Sequence, residues 1–362
     1  MERDAALERL LNATGFATAR RVPFPGDAST RRYARLFAED DRVAILMDAP
    51  PSNESPPCPP SASVEERLGS GWNAISRLAA SRVEAFVAVA DHLSDLGLST
   101  PLVHGVDARA GYAVLEDLGD NLFTNAIIGG EDEIQLYCAA ADVLAHVHGA
   151  PIPEVMPGPD GDWPLLDYDA LALSANADLF IDWAPQHADG ITVSDAGRAR
   201  WERIRDGLIG QAMGMERAFT IRDYHAENLL WLPDRDGLRR VGLLDFQDAV
   251  RGWPAWDFAM LLQDARRDVS PLAAEAAIAR YLRRSEMDEG VFRHQLAILG
   301  AINALRIIGI FSRLVVRDGK ARYMQFMPRG WGHLSANLRH PELAEMRAFV
   351  CDIAAPYLEI AA

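Results

Sequence analysis

Thr220-Ile221-Arg222-Asp223-Tyr224-His225-Ala226-Glu227-Asn228 and Val241-Gly242-Leu243-Leu244-Asp245-Phe246-Gln247-Asp248 are the two stretches whose joint reading decides the fold. Each sets a carboxylate at the end of an apolar run. Phosphoryl-transfer loops need an Asp to take or orient the acceptor's hydroxyl proton and an Asn five residues on to hold Mg²⁺. Asp223 and Asn228 have that spacing, and Asp245 supplies the second metal-holding carboxylate after a later apolar strand. Mg²⁺ takes oxygen ligands and usually only one or two carboxylates from protein. That leaves Asp223 free as the candidate catalytic residue, with Asn228 and Asp245 as metal candidates and ATP and Mg²⁺ as the expected cofactors. An Asp after a strand is by itself commonly a solvated turn residue. Two in the right order, with Asp248 following, imply phosphoryl transfer.

The rest of the chain bounds this reading. At 362 residues and 49% hydrophobic composition it is long and apolar enough for a two-lobed globular enzyme. A net charge of −16 argues against a general nucleic-acid binder. Cys58, Cys138 and Cys351 lie far apart in no metal-ligand pattern, which fits a reducing cytosol. The start, Met1-Glu2-Arg3-Asp4-Ala5, is mixed in charge rather than secretory. The longest apolar run, 296–316, is interrupted by Asn303, Arg306 and Arg313, which favours a buried helix over a membrane span. The expectation is a cytoplasmic monomer acting on a small molecule, with no nucleic-acid or membrane partner. Lys320 is the single lysine.

Along the chain, 1–18 reads as a helix. Arg32–Phe37 and Val43–Met47 read as strands flanking the turn Glu39-Asp40-Asp41. Residues 50–63 are rich in Pro, Ser and Asn and read as a mobile loop, within a flexible insertion over 50–82. Val83–Leu96 has helical periodicity, with Phe86, Val89, Ala90 and Leu93 on one face and Gly97 as a stop. Tyr112–Leu115 reads as a strand leading into Glu116-Asp117-Leu118, and beyond it the chain is mostly helical. This gives an α+β fold with a β-rich nucleotide-binding lobe over 1–118 and a catalytic and substrate-binding lobe over 119–362.

These residues resemble the aminoglycoside phosphotransferase and choline kinase group, which shares the protein-kinase-like fold. The likeness is strongest from Asp223 through Asn228 and Asp245 to Trp253-Pro254-Ala255-Trp256-Asp257-Phe258-Ala259. It implies that Asp257 braces the catalytic loop. It implies too that Leu144-Ala145-His146-Val147-His148 is the family's Leu-x-x-Leu-His helix end, with His148 in a packing or hinge role. At Leu115-Glu116-Asp117-Leu118 it implies a hinge where the Glu116 carbonyl and Leu118 amide read adenine. Ala44-Ile45-Leu46-Met47-Asp48-Ala49-Pro50-Pro51, the two acidic clusters, 178–183 and 308–314 are similar to a narrower subgroup. That subgroup is the bacterial anomeric sugar kinases of cell-wall recycling, which phosphorylate the 1-hydroxyl of N-acetylmuramate and N-acetylglucosamine.

Two departures from the family stand out. The strand lysine that normally holds the α- and β-phosphates aligns with Met47, and Ile221 replaces a common His. Something else must neutralise the nucleotide. The candidates lie at the family's phosphate loop, in Pro25-Gly26-Asp27-Ala28-Ser29-Thr30-Arg31-Arg32-Tyr33. Ser29 and Thr30 offer hydroxyl and backbone donors, and Arg31 or Arg32 a charge-assisted fork. With the lysine gone, Glu84 has no evident partner. For an amino-sugar acceptor, Arg222 stands either on a substrate carboxylate or paired with a neighbouring Asp. His225 either lines the acceptor site or holds the loop. Asp178, Gln247 and Trp183 are further acceptor-side candidates by position, Trp183 being equally a core residue. The leading expectation is an ATP-dependent sugar 1-kinase. The alternatives are an aminoglycoside or other small-alcohol phosphotransferase, and a nucleotide-binding pseudokinase.

Overall fold

The computed structural model describes residues 2–25, 31–50, 58–79 and 82–359. Proximity of Cα atoms groups the chain into two compact units, neither a single stretch of sequence. The first takes Met1–Asp132, Pro151–Leu166 and Ala226–Val250; the second takes Glu133–Ala150, Asp167–His225 and Arg251–Ala362. Residues 119–132 and two later segments thus group with the N-terminal sheet. The chain passes from the second unit to the first inside the catalytic loop, after His225.

The first unit is built on an antiparallel sheet of order β1-β2-β3-β5-β4. Its strands are β1 (Arg20–Pro23), β2 (Arg32–Phe37), β3 (Val43–Asp48), β4 (Val103–Asp107) and β5 (Tyr112–Glu116). Helix α1 (Glu2–Thr14) seats Leu10 and Leu11 with Phe16 against Leu36, Ala44, Leu46, Tyr112 and Val114. Each fully buried Leu or Phe there contributes roughly 1.5–3 kcal/mol. The stretch 50–82, expected to be a flexible insertion, carries regular structure where it is described; 51–57, 80 and 81 lie outside the described residues. Ser63 and Glu66 form a capping box that starts α2 (Val64–Ser70), and α3 (Trp72–Ser76) follows Gly71. Arg67 is buried and donates to the carbonyls of Ala74 and Ile75, fastening the two short helices together. Helix α4 (Val83–Asp95) buries the expected face of Phe86, Val89, Ala90 and Leu93. A short helix, α5 (Phe123–Ile128), follows the sheet. A hairpin pairs Leu229–Trp231 with Val241–Leu243, placing Leu229 opposite Leu243.

The second unit is helical: α6 (Glu133–Gly149), α7 (Ala170–His187), α8 (Asp195–Met213), α9 (Pro254–Leu262), α10 (Pro271–Ser285), α11 (Glu289–Val316), α12 (Met327–Asn337) and α13 (Ala344–Glu359). Helix α11 is long and apolar enough to cross a membrane, yet 78% of its apolar window is buried within the protein, so it is a core helix. It approaches α7 so closely that a Cβ on Gly309 would lie 2.3 Å from the backbone of Leu179. Asn303 and Arg306, which interrupt its apolar run, are themselves buried. The sheet of one unit and the helices of the other make the chain α+β, as the sequence implied.

Candidate active site

In the first unit the metal candidates share one end of the Leu229–Trp231/Val241–Leu243 hairpin. The Leu244 N–H donates to the Asn228 carbonyl at 2.9 Å, so Asn228 and Asp245 flank adjacent strand ends. Asp245 holds a left-handed backbone, φ 56°, which Asp tolerates better than most side chains. Its Oδ1 accepts from Arg31 Nη2 at 2.5 Å and from Gln247 Nε2 at 3.0 Å. Gln247 is buried and also donates to Asp248, whose Oδ1 accepts the Ala79 N–H at 2.6 Å. The Nε2 of Gln247, expected on the acceptor side, thus bonds the acidic cluster, while its Oε1 is buried with no hydrogen-bond partner among the described residues. Phe246 is buried against the Phe86 ring, 4.9 Å between centroids, and so pins the cluster to α4.

Tyr33, which the sequence reading passed over as a site residue, joins this group. Burial pushes its phenol up, with Arg31 pulling the other way and the Asp245 charge adding to the rise. Burial acts to lower the pKa of Arg31, but Tyr33, Asp245 and Asp248 more than offset it and hold the guanidinium firmly charged. Met47 lies opposite Tyr33 in the β2–β3 register and is fully buried. The strand position where the family resemblance led one to expect lysine is therefore core, and the cation beside Asp245 comes from the entry to β2. Arg32 is exposed. Ser29 and Thr30 lie outside the described residues. Glu84 pairs with Arg82 at 3.0 Å.

At the expected hinge, the Glu116 side chain bonds Arg235 at 2.7 Å, and its backbone N–H donates to the Leu102 carbonyl. Leu118 is half-buried beside Gly242. Arg35 reaches from β2 to Asp117 at 2.6 Å and Asp120 at 2.8 Å, fixing the segment that follows β5.

In the second unit the catalytic loop is held from beneath by Asp257. Its Oδ2 accepts the Ile221 N–H at 2.9 Å and its Oδ1 the Arg222 N–H at 2.7 Å. His148 Nε2 reaches the same carboxylate at 3.1 Å, while its Nδ1 meets the Tyr281 hydroxyl at 3.2 Å. Charge-assisted bonds to successive amides hold Arg222 at φ 80°, a costly conformation for a large side chain. Ile221 is buried, and the Tyr224 hydroxyl donates to the Ala140 carbonyl of α6 at 3.0 Å. Asp223 therefore sits on a loop whose neighbours are fixed on both sides.

Arg222 is 1% exposed and lays its guanidinium over the Tyr168 ring at 4.6 Å. Asp178 accepts from Trp201 Nε1 at 2.6 Å and Arg205 Nη1 at 2.5 Å, so both of its oxygens clip α7 to α8. Trp183 also lies on α7. His225 is buried, with Nε2 3.4 Å from Arg266. Arg306 Nη2 lies 3.9 Å from Asp223 Oδ1. Sequence reading did not single it out, although a cation interrupting an apolar helical run was the available signal.

The second unit carries a braced Asp loop, and the first an Asn five residues on and an acidic cluster at a hairpin end. The family model described as "Phosphotransferase enzyme family" matches residues 20–291. An N-acetylmuramate/N-acetylglucosamine kinase from Caulobacter vibrioides is 50% identical over 349 residues, covering 96% of each chain. A kinase of the same name from Pseudomonas aeruginosa is 30% identical, covering 95% of this chain and 92% of that one. Among solved structures, a choline/ethanolamine kinase family protein from Mesorhizobium loti superposes with a TM-score of 0.58 at 16% identity, covering 97% and 99%. The chain belongs to the phosphotransferase enzyme family.

Proposed function

We propose that this protein is an ATP-dependent, Mg²⁺-assisted kinase that phosphorylates the anomeric 1-hydroxyl of N-acetylmuramate and N-acetylglucosamine, a cytoplasmic step in peptidoglycan recycling. The observation that carries the reading is the full-length, 50% identity to a kinase bearing that name, in a chain that keeps Asp223, Asn228 and Asp245. Asp223 takes or orients the proton of the acceptor hydroxyl. The Asn228 and Asp245 side chains offer hard oxygens at one hairpin end, which suits Mg²⁺. Among the described residues no three His, Cys, Asp or Glu side chains form a closed cage, and a metal that shares its ligands with nucleotide phosphates needs none. Asn228 and Asp245 would hold the ion, which would supply neutralisation of the phosphate charge there. Arg31, poised on Asp245, holds the phosphates in place of the strand lysine, with Arg32, Ser29 and Thr30 completing that loop. The Glu116 carbonyl and Leu118 amide read the adenine edge, and His225 borders the acceptor.

Asp223→Asn tests the assignment. It keeps size and hydrogen bonding but removes the base, so turnover should fall by roughly 10²–10⁴ while ATP still binds by calorimetry. Turnover near the wild-type value would refute the role given to Asp223 and the reading with it.

A further inference from the structure

Arg306 is the feature that packing leaves unexplained. It projects from the middle of α11 and is 9% exposed. A guanidinium withdrawn from water is costly unless it is paired and hydrogen-bonded. Another buried arginine, Arg67, meets that cost with main-chain carbonyls, those of Ala74 and Ile75. Arg306 does not. Its Nη1 donates to Asn303 Oδ1 at 3.1 Å on its own helix, with the Met260 sulfur at 4.0 Å and the Trp256 ring 5.9 Å away. These partners are neutral and weak. Its Nε has no hydrogen-bond partner among the described residues. Arg313, further along α11, adds like charge.

Among the described residues, the carboxylate within ion-pair reach of Arg306 is Asp223, at 3.9 Å. That is close enough for strong attraction in a poorly solvated setting and too long for a hydrogen bond. Tyr168, fully buried, feels both groups: burial raises its phenol, Arg222 and Arg306 oppose the rise, and Asp223 adds to it. Arg306 thus belongs electrostatically to the catalytic loop, though it lies far away in sequence.

We propose that Arg306 is a positioning residue for Asp223: from the buried face of α11 it holds Oδ1, so that Oδ2 is presented to the acceptor hydroxyl. The inference rests on the reading above that Asp223 serves the acceptor. It makes α11 part of the catalytic machinery rather than core alone. Misplacing a catalytic group by even an ångström costs up to about 10²-fold in rate, so the effect belongs in kcat.

The test compares Arg306→Met, Arg306→Lys and Arg306→Ala with wild type and Asp223→Asn, using steady-state kinetics, ADP binding by calorimetry and thermal midpoints. Arg306→Met should lower kcat about tenfold or more, with KM for ATP and ADP affinity within about twofold. Arg306→Lys should recover part of the loss, and free guanidinium ions should partly restore Arg306→Ala. Wild-type kcat in folded Arg306→Met would overturn the proposal. So would losses of kcat, ADP affinity and melting temperature that run in parallel without guanidinium rescue, because they mark a structural role. If Arg306→Met fails to fold, the Lys variant and the rescue decide. An active Asp223→Asn would instead overturn the underlying reading.

Discussion

Arg31 carries the largest departure from the family pattern. Its guanidinium stands 2.5 Å from Asp245 with its side chain 11% exposed, while Met47 is sealed in the sheet. Under the function proposed above, a chain with Lys320 as its single lysine uses arginine for the phosphates, whose geometry the guanidinium fork suits. Arg31→Ala should therefore raise KM for ATP about tenfold or more, the worth of a charged hydrogen bond, and leave KM for the sugar within about twofold. An unchanged KM for ATP, read from initial rates, would remove Arg31 from the nucleotide site. Some placements were legible in sequence: Asn228 and Asp245, located by spacing, do lie at one hairpin end, and Asp257, implied by the family resemblance, does bond the loop amides. Others were not. A carboxylate on a helix reads the same whether it meets a sugar or clips Trp201 and Arg205, and Asp178 proved to do the latter. Nor does a sequence reveal that Arg222 turns to φ 80° and lies over Tyr168.

Among the elements, the strands β2 and β3 and the helix α4 fall where periodicity put them. The elements that were missed are those without a repeating pattern. Helices α2 and α3 hide in a stretch whose proline-rich start reads as loop, and their stability comes from a capping box and from Arg67 rather than from an apolar stripe. Strands of two residues, Val155–Met156 and Trp163–Pro164, are too short to show alternation. The segment after α9 carries a testable electrostatic load. Asp264 is 3% exposed, accepts the Arg266 N–H at 2.8 Å, and has no partner for Oδ2 among the described residues. Burial raises its pKa, against the pull of that N–H and of Arg266, Arg267 and Arg329. A carboxyl raised on folding contributes stability that is complete below the ordinary value of 3.8 and is lost as pH rises through the raised one. Asp264→Asn removes that dependence. Its melting temperature relative to wild type should be most favourable well above the raised value and should become less so as pH falls through it toward 3.8. A difference independent of pH would show that Asp264 ionises without penalty.

For the molecule entire, a β-rich first third, a helical remainder and the order Asp223, Asn228, Asp245, with the family resemblance they carry, were enough to reach the protein-kinase-like fold from sequence. The division of the chain was harder to read. Segments 151–166 and 226–250 return to the first unit, and long-range returns leave no local mark in composition or turn signals. The acceptor is likewise a property of the assembled molecule, since no single residue announces a sugar. The anomeric hydroxyl is the most acidic on such a sugar and asks least of a base like Asp223, and its phosphate is distinguished by lability to mild acid. The direct measurement is therefore ATP consumption by the purified protein with Mg²⁺ and N-acetylglucosamine or N-acetylmuramate, followed by mild acid treatment of the phosphorylated sugar. Turnover of both sugars to an acid-labile phosphate is the predicted result. An acid-stable product, or no turnover of either sugar while another alcohol is phosphorylated, would contradict it.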